Sequence, residues 1–224
     1  MFFLSLTGCS YSFDLKKSLQ KKSNNINQEI IENYSKAISR DPNNFFFYLE
    51  RGKAKHDYGD FKGAINDFEK LNFLKKYEDQ IFYNIASAQF INFDYQNSVN
   101  NYTKSIEYDD NDAYAYLYRG DAKFKLQDYE GSLKDYSKSL EINKRSYIAF
   151  NNRGVSNFKL KNYRSALEDF KKSLKINPLN YSTLYNKSLT HFELKEIKKA
   201  CINLKKSIKL GKEVFRGEYL KICL

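Results

Sequence analysis

Small and apolar positions follow a helical spacing that restarts at a fixed interval. Between residues 116 and 124 they are separated by steps of four, and between residues 129 and 140 by steps of four, three and four. This spacing predicts two amphipathic helices in sequence. The whole pattern returns 34 residues later, so residues 113–136 and 147–170 are two copies of one helix–turn–helix unit.

The period of 34 residues extends over most of the chain. Lysine recurs at this interval six times, at Lys36, Lys70, Lys104, Lys138, Lys172 and Lys206. A fixed period between about 20 and 50 residues predicts a solenoid of repeated supersecondary units. We therefore predict an all-α chain with a leader and tether over residues 1–26, an N-terminal half-repeat over 27–44, repeats over 45–210 and a closing helix over 211–224. Five repeats are predicted, starting at residues 45, 79, 113, 147 and 181.

We call residues that are spaced 34 apart a column, and two further columns lie inside the repeats. A residue of the Asp, Asn or Glu type falls between the two helical patterns, at Asp60, Asp94, Asp128, Asn162 and Glu196. Such side chains are expected to accept hydrogen bonds from the amides that open the second helix. A small residue sits in the middle of the first helix, at Gly52, Ala86, Gly120, Gly154 and Ser188. Because glycine weakens a helix, its recurrence there predicts a close approach between helices.

These residues resemble tetratricopeptide repeats, which are 34-residue helix–turn–helix units. The resemblance covers residues 27–210, with a Gly-Asp-Phe turn at residues 59–61 and prolines at Pro42 and Pro178, four periods apart. No repeat carries the family's tryptophan, and three carry arginine where leucine is usual. The resemblance implies antiparallel helix pairs stacked into a right-handed superhelix, whose first helices line a concave groove that binds peptides.

The family's geometry also implies which residues line that groove. Its groove positions hold Tyr83, Asn84, Tyr114, Tyr118, Asn151, Asn152, Tyr185 and Asn186, beside a row of phenylalanines at Phe90, Phe124, Phe158 and Phe192. Asparagine can donate to and accept from a peptide main chain, and tyrosine adds rigid area with a polar tip. We expect a protein or peptide partner bound mainly through Asn152 and Tyr185, with the phenylalanines serving chiefly to pack the helices.

The net charge of +11 raises two other functions. A basic surface could bind nucleic acid or an anionic membrane. However, 31 of the 38 basic residues are lysine, whereas arginine suits bidentate contacts with phosphate and guanine better. We therefore expect a solvated face and regard nucleic acid as the weaker alternative. A structural lipoprotein without a groove ligand is the third hypothesis.

Motifs that carry catalysis are missing from the sequence. It contains no glycine-rich phosphate loop, no Cys-x-x-Cys and no His-Glu-x-x-His motif. The two histidines, His56 and His191, lie in different repeats, and neither has a plausible catalytic partner nearby in sequence. We predict a protein that is not an enzyme and that uses no catalytic residue, cofactor or metal.

The stretch Leu6-Thr7-Gly8-Cys9 is similar to the lipobox of bacterial lipoproteins, which implies a lipid on Cys9. The preceding residues include no lysine and are short for a secretory signal. Two interpretations stay open. A truncated signal, which we slightly favour, predicts an extracytoplasmic protein anchored to a membrane through Cys9 alone, whereas a chance match leaves the protein in the cytoplasm.

Cys201 and Cys223 lie on either side of Gly211, which is predicted to end the last full helix. An oxidising compartment would allow them to form a disulfide. We favour two reduced cysteines acting as small apolar residues, since packed helix axes about 8–10 Å apart often hold Cα atoms too far apart for a bridge.

Comparison of the repeats also predicts an internal ion pair. Arginine precedes the small-residue column at Arg51, Arg119 and Arg153, and aspartate follows sixteen residues later at Asp67, Asp135 and Asp169. Where the arginine is replaced, by Ile85 or Lys187, the later residue is Asn101 or Asn203. We therefore expect each arginine to pair with the aspartate of its own repeat.

Overall fold

The computed structural model describes residues 7–71, 78–211 and 218–223, with side chains described from residue 23 onward except at 78 and 218–220. These residues form helices and no strand. The helices are α1 (Thr7–Arg40), α2 (Phe45–Tyr58), α3 (Phe61–Glu69), α4 (Glu78–Ile91), α5 (Tyr95–Tyr108), α6 (Ala113–Lys125), α7 (Tyr129–Ile142), α8 (Tyr147–Lys159), α9 (Tyr163–Ile176), α10 (Tyr181–Glu193), α11 (Ile197–Lys209) and α12 (Glu218–Cys223). The predicted all-α fold of helix–turn–helix repeats is confirmed.

The chain divides into two compact units, Met1–Asp94 and Tyr95–Leu224. In the first unit, each helix from α1 to α4 packs against the next one. In the second, each helix from α5 to α12 does the same. Apolar surface is thus buried between neighbouring helices instead of around one centre, as in a solenoid.

The small-residue column permits close contact between the two helices of a repeat. A Cβ atom added to Gly120 would lie 2.7 Å from the ring of Tyr136, and one added to Gly154 would lie 2.6 Å from the ring of Phe170. Both rings are almost fully buried. Any side chain at these two glycines would therefore overlap an aromatic ring that has little room to move.

The predicted caps of the second helices form in two of four repeats for which they can be compared. Asp60 accepts a hydrogen bond from the amide of Gly63, and Asp128 accepts one from the amide of Gly131. The prediction was wrong for Asn162 and Glu196, which make no side-chain cap bond. The side chain of Glu196 instead contacts His191 and Lys199. Nothing in the structure explains why Asn162 makes no cap hydrogen bond.

First helices also have caps, which the sequence reasoning missed. The side chains that accept an amide hydrogen bond at the start of α2, α6, α8 and α10 belong to Asn44, Asp112, Ser146 and Asn180. These residues occupy one column of the period and are all strong N-cap formers. The column alone could therefore have placed the helix starts.

The turn inside each repeat adopts a left-handed backbone conformation at one fixed place. Glycine occupies it once, at Gly59, and the four other residues with positive φ are Phe93, Gln127, Lys161 and Lys195. Residues other than glycine usually avoid this left-handed region of positive φ. The packing of the two helices imposes the turn even where the sequence shows no glycine.

At the N-terminus the structure differs from the prediction. One helix, α1, runs from Thr7 to Arg40, where the sequence predicts a tether over residues 10–26 and a helical half-repeat only from residue 27. No glycine or proline occurs between Gly8 and Arg40, so nothing stops a helix that is started by packing against α2. Residues 1–6 lie outside the described part of the chain.

The C-terminal cap includes a disulfide between Cys201 on α11 and Cys223 on α12, which corrects the expectation of free thiols. Their Cα atoms are 5.2 Å apart, which lies within the range that a disulfide spans. Cys223 joins a buried cluster around Leu204, whereas Ile222 is 54% exposed. Val214 and Phe215 of the predicted cap lie outside the described residues.

We predict that reducing this disulfide releases α12 without unfolding the repeats. The bridge joins α12 to α11 across 22 residues, and α12 has few other contacts with the rest of the fold. Mass spectrometry of the untreated protein should show the loss of two hydrogen atoms. Hydrogen exchange should speed up at residues 218–223 after reduction and in a Cys201→Ser variant, while α8 and α9 stay protected. An unchanged exchange pattern after reduction would contradict the prediction.

Candidate functional site

Polar side chains link three first helices of the second unit. The carboxylate of Asp121 on α6 accepts hydrogen bonds from the Nδ2 of Asn152 on α8 (2.8 Å) and from the hydroxyl of Tyr136 (2.7 Å). The Oδ1 of Asn152 accepts from the Nδ2 of Asn151, at 3.0 Å. The Oδ1 of Asn151 in turn accepts from the Nδ2 of Asn186 on α10, at 3.1 Å. We call Asp121, Asn151, Asn152 and Asn186 the amide row.

The amide row has hydrogen-bonding capacity that its internal contacts do not use. Each asparagine has two N–H groups and an oxygen with two lone pairs. The contacts within the row use one N–H of each asparagine. Within the described residues, the Oδ1 of Asn186 accepts no hydrogen bond, and all three asparagines are only half-buried. They can therefore donate to and accept from a main chain laid along the row.

A small apolar depression adjoins the row. Val155 and Phe158 of α8 and Leu189 of α10 form its walls, Phe170 forms its floor, and Asn186 contributes at the edge. It is shallow, and the space beside these side chains, open solvent included, is about 180 Å³. Phe170 is fully buried, so this floor is part of the rigid core. Polar and apolar surfaces thus meet at Asn186.

Burial determines the protonation of the group at the end of the row. It raises the pKa of Asp121 above its usual range, although the hydrogen bonds from Tyr136 and Asn152 act in the opposite direction. Burial and the neighbouring Asp121 also raise the pKa of Tyr136 far above its usual range. Tyr136 therefore stays protonated and donates to Asp121.

The tyrosines among the predicted groove residues occupy different environments. Tyr118 is 37% exposed and stacks between Tyr102 and Tyr114. Tyr185, which we expected from the sequence to bind the partner together with Asn152, packs against the buried cluster that contains Leu204. The remaining two predicted residues, Tyr83 and Asn84, lie half-buried on α4 in the first unit.

The phenylalanine row serves largely to pack helices, as expected. Phe124 contacts Tyr129, and Phe158 contacts Tyr163, at centroid distances of 5.2 and 5.5 Å. Phe192 is buried in the last cluster. Phe158 has the additional role of lining the depression.

Three residues near the site were not singled out from the sequence, namely Val155, Thr183 and Leu189. Thr183 donates a hydrogen bond to the Oδ1 of Asn151 at 3.0 Å. It stands where two earlier repeats have Ala115 and Ala149, and this departure from the column was the available signal.

The predicted ion pairs are confirmed in all three repeats. Arg51, Arg119 and Arg153 each contact the aspartate of their own repeat through two nitrogens, with Nη2 to Oδ1 distances of 2.6–2.7 Å. The third nitrogen, Nη1, donates to a hydroxyl sixteen residues earlier, on Ser35, Thr103 or Ser137. The guanidinium groups therefore join two neighbouring second helices through one first helix.

Both histidines have a carboxylate neighbour close in sequence. Nδ1 of His191 lies 2.6 Å from Glu196, and Nδ1 of His56 lies 3.2 Å from Asp57. His191 is buried, and this burial lowers its pKa despite the contact with Glu196. Among the residues that the structure describes, no three His, Cys, Asp or Glu side chains are grouped to hold a metal ion.

The N-terminal lipidation stays a prediction. The backbone of Cys9 belongs to α1, and its side chain is outside the described part of the chain. In the portion covered by the structure, none of the helices combines the length and apolar character needed to span a bilayer.

Comparison with known proteins identifies the repeats. Models of the tetratricopeptide repeat match residues 147–180, and also residues 79–112 and 181–211. Among curated proteins, none matches the chain in sequence.

Solved structures share the fold at low sequence identity. A crystal structure of MamA superposes with a TM-score of 0.68 at 18% identity, covering 72% of this chain and 95% of that one. YrrB, described as a TPR protein with an unusual peptide-binding site, superposes with a TM-score of 0.67 at 17% identity, covering 80% and 93%. PilF of Pseudomonas aeruginosa gives 0.67 at 16% identity, covering 76% and 78%.

The period of 34 residues, the paired helices and the family models agree with one another, and residues 79–112 and 147–211 are tetratricopeptide repeats.

Proposed function

We propose that the face formed by α6, α8 and α10 binds an extended segment of a partner protein. The tetratricopeptide fold supports a protein–protein interaction scaffold. The observation that carries the finer proposal is the amide row beside an apolar depression. YrrB, which shares the fold, is described as having a peptide-binding site, and this is consistent with such a role.

The amide row suits a main chain. An extended peptide presents N–H and C=O groups at regular intervals, and the row offers half-buried amides that can pair with both kinds. The carboxylate of Asp121 at one end already accepts hydrogen bonds from Tyr136 and Asn152, so the asparagines are the groups of the row that are left to pair with a peptide.

The depression suits one apolar side chain of the same peptide. Its lining of Val155, Phe158 and Leu189 offers no charge, and its floor is rigid. Full burial of an aliphatic side chain contributes about 1.5–3 kcal/mol, so partial burial in this open depression is expected to raise the affinity by up to roughly tenfold. The partner segment is therefore expected to carry an aliphatic residue as its anchor.

Selection of random peptides by display on the immobilised protein tests this proposal. We expect the selected peptides to share one aliphatic position. Their affinity should fall about tenfold in Leu189→Ala, through loss of apolar contact, and about fivefold in Asn186→Ala, through loss of a hydrogen bond worth about 1 kcal/mol. These substitutions are better probes than Asn152→Ala or Tyr185→Ala, because Asn152 holds Asp121 and Tyr185 packs in a core cluster.

Ile202→Ala is the matched control, since Ile202 is 68% exposed on α11 and does not line the depression. Circular dichroism would verify that each variant is folded. Unchanged affinity in both Leu189→Ala and Asn186→Ala would rule out recognition at this face.

A further inference from the structure

The net positive charge of the chain comes from its last third. Residues 1–150 carry 21 basic and 21 acidic side chains, whereas residues 151–224 carry 17 basic and 6 acidic ones. The whole net charge of +11 therefore belongs to the last two repeats and the cap. Helix α11 alone has five lysines and no acidic residue.

The last repeat also departs from the internal ion pair of the others. Lys187 takes the place of the arginine, Asn203 takes that of the aspartate sixteen residues later, and Lys171 takes that of the hydroxyl residue sixteen residues earlier. In the part of the chain that the structure describes, Lys187 makes no ion pair with a carboxylate. We call Lys171, Lys187 and Lys206 the lysine face.

Lys187 is held in an unfavourable position for a cation. It is half-buried on α10, whereas Lys171 and Lys206 are exposed on α9 and α11. Burial lowers the pKa of Lys187, and the positive charges of Lys171 and Lys206 lower it further. An anion placed among the three ammonium groups would relieve both effects.

The corresponding place in the preceding repeat is open to solvent. In the preceding repeat, the corresponding Arg153 and Asp169 line an open depression with about 670 Å³ of empty space, together with Ser137, Glu168 and Lys172. Most of its lining comes from the second helices α7 and α9. The lysine face is thus distinct from the amide row, which lies on first helices.

We propose that the lysine face binds an acidic segment of a partner protein, with a carboxylate of that segment beside Lys187. Carboxylates fill this place within the chain itself, as Asp67, Asp135 and Asp169 contact the corresponding arginines in three repeats. In the last repeat the side chain at the place of the aspartate, Asn203, contacts the main-chain carbonyl of Lys199, so a carboxylate from outside the chain is the counter-charge that the other repeats provide internally. This precedent favours a protein segment rich in Asp or Glu over a phosphate ligand. The partner supplies the group that Asn203 does not.

Fluorescence polarisation with a labelled oligoglutamate peptide provides the test at low salt. Lys187→Gln should weaken binding about tenfold, because a hydrogen bond to a charged group is lost. Asn203→Asp should weaken binding at least as much, because the new internal carboxylate occupies Lys187 as in the other repeats. The same variant should raise the melting temperature.

Lys134→Gln on α7 is the matched control, since it removes one exposed lysine outside the basic region and should change affinity less than twofold. Unchanged oligoglutamate binding in both Lys187→Gln and Asn203→Asp would overturn the proposal. So would tighter binding of an oligothymidylate of equal charge, or of vesicles containing phosphatidylglycerol, if that binding were lost in Lys187→Gln. Asn203→Asp carries the test if Lys187→Gln fails to fold.

Discussion

Replacing Asp135 by alanine is expected to lower the free energy of unfolding by about 3 kcal/mol, because it leaves the half-buried cations of Arg119 and Lys123 without their counter-charge. Asp135 is 3% exposed and contacts both Arg119, at 2.7 Å, and Lys123, at 2.8 Å. Neither cation gains a new carboxylate when Asp135 is removed. Chemical denaturation followed by circular dichroism measures the loss.

The chain supplies its own control for this substitution. Asn203 occupies the same place in the last repeat and contacts a main-chain carbonyl instead of an arginine. We expect Asn203→Ala to cost less than about 1 kcal/mol, as is usual for a hydrogen bond at a half-buried site. Equal losses in Asp135→Ala and Asn203→Ala would mean that the ion pair has no special role in stability.

The glycine of the first helix should be the second sensitive point. Gly154→Ala is expected to lower the free energy of unfolding by about 1–3 kcal/mol, because the new Cβ would overlap the ring of Phe170. This outcome reverses the usual gain of about 1 kcal/mol when alanine replaces glycine in a helix. The direction of the effect therefore distinguishes packing from helix propensity, and thermal or chemical denaturation measures it.

A double substitution tests the same contact from the other side. The last repeat has Ser188 and Leu204 at the places of Gly154 and Phe170, and both are buried. The double variant Gly154→Ser with Phe170→Leu should lose less free energy of unfolding than the two single variants lose together. We expect the difference to be at least about 1 kcal/mol, because substitutions at residues in contact are not additive. Additive effects would show that the glycine is not there to admit the aromatic ring.

The five repeats differ at the position that holds Arg51, Arg119 and Arg153 in three of them. Three of them satisfy an arginine with their own aspartate, and these arginines also contact a neighbouring second helix. The last repeat keeps a cation and omits the carboxylate. The same place that stabilises the array elsewhere is thus available for recognition at its basic end, which is the basis of the proposed second surface.

Much of the candidate site could be predicted because it follows the period. Repetition at 34 residues places Asn151, Asn152 and Asn186 at equivalent turns of first helices, and the structure brings them into one row. The partition of charge was also present in the sequence, although the total of +11 concealed it. What the period could not show was the depression, since its lining by Val155 and Leu189 depends on how far apart α8 and α10 pack.

The sequence by itself determined the fold class, the helix pairs and the arginine–aspartate contacts, because each depends on spacing within a repeat that local geometry preserves. Only the tertiary structure decided which half-buried amides contact one another, that Tyr185 faces a core cluster, and that Cys201 and Cys223 approach to 5.2 Å. It also imposed left-handed turns at residues such as Gln127, where no glycine signals them. These features depend on distances between helices, which result from the packing of whole side chains and which no spacing along one helix encodes.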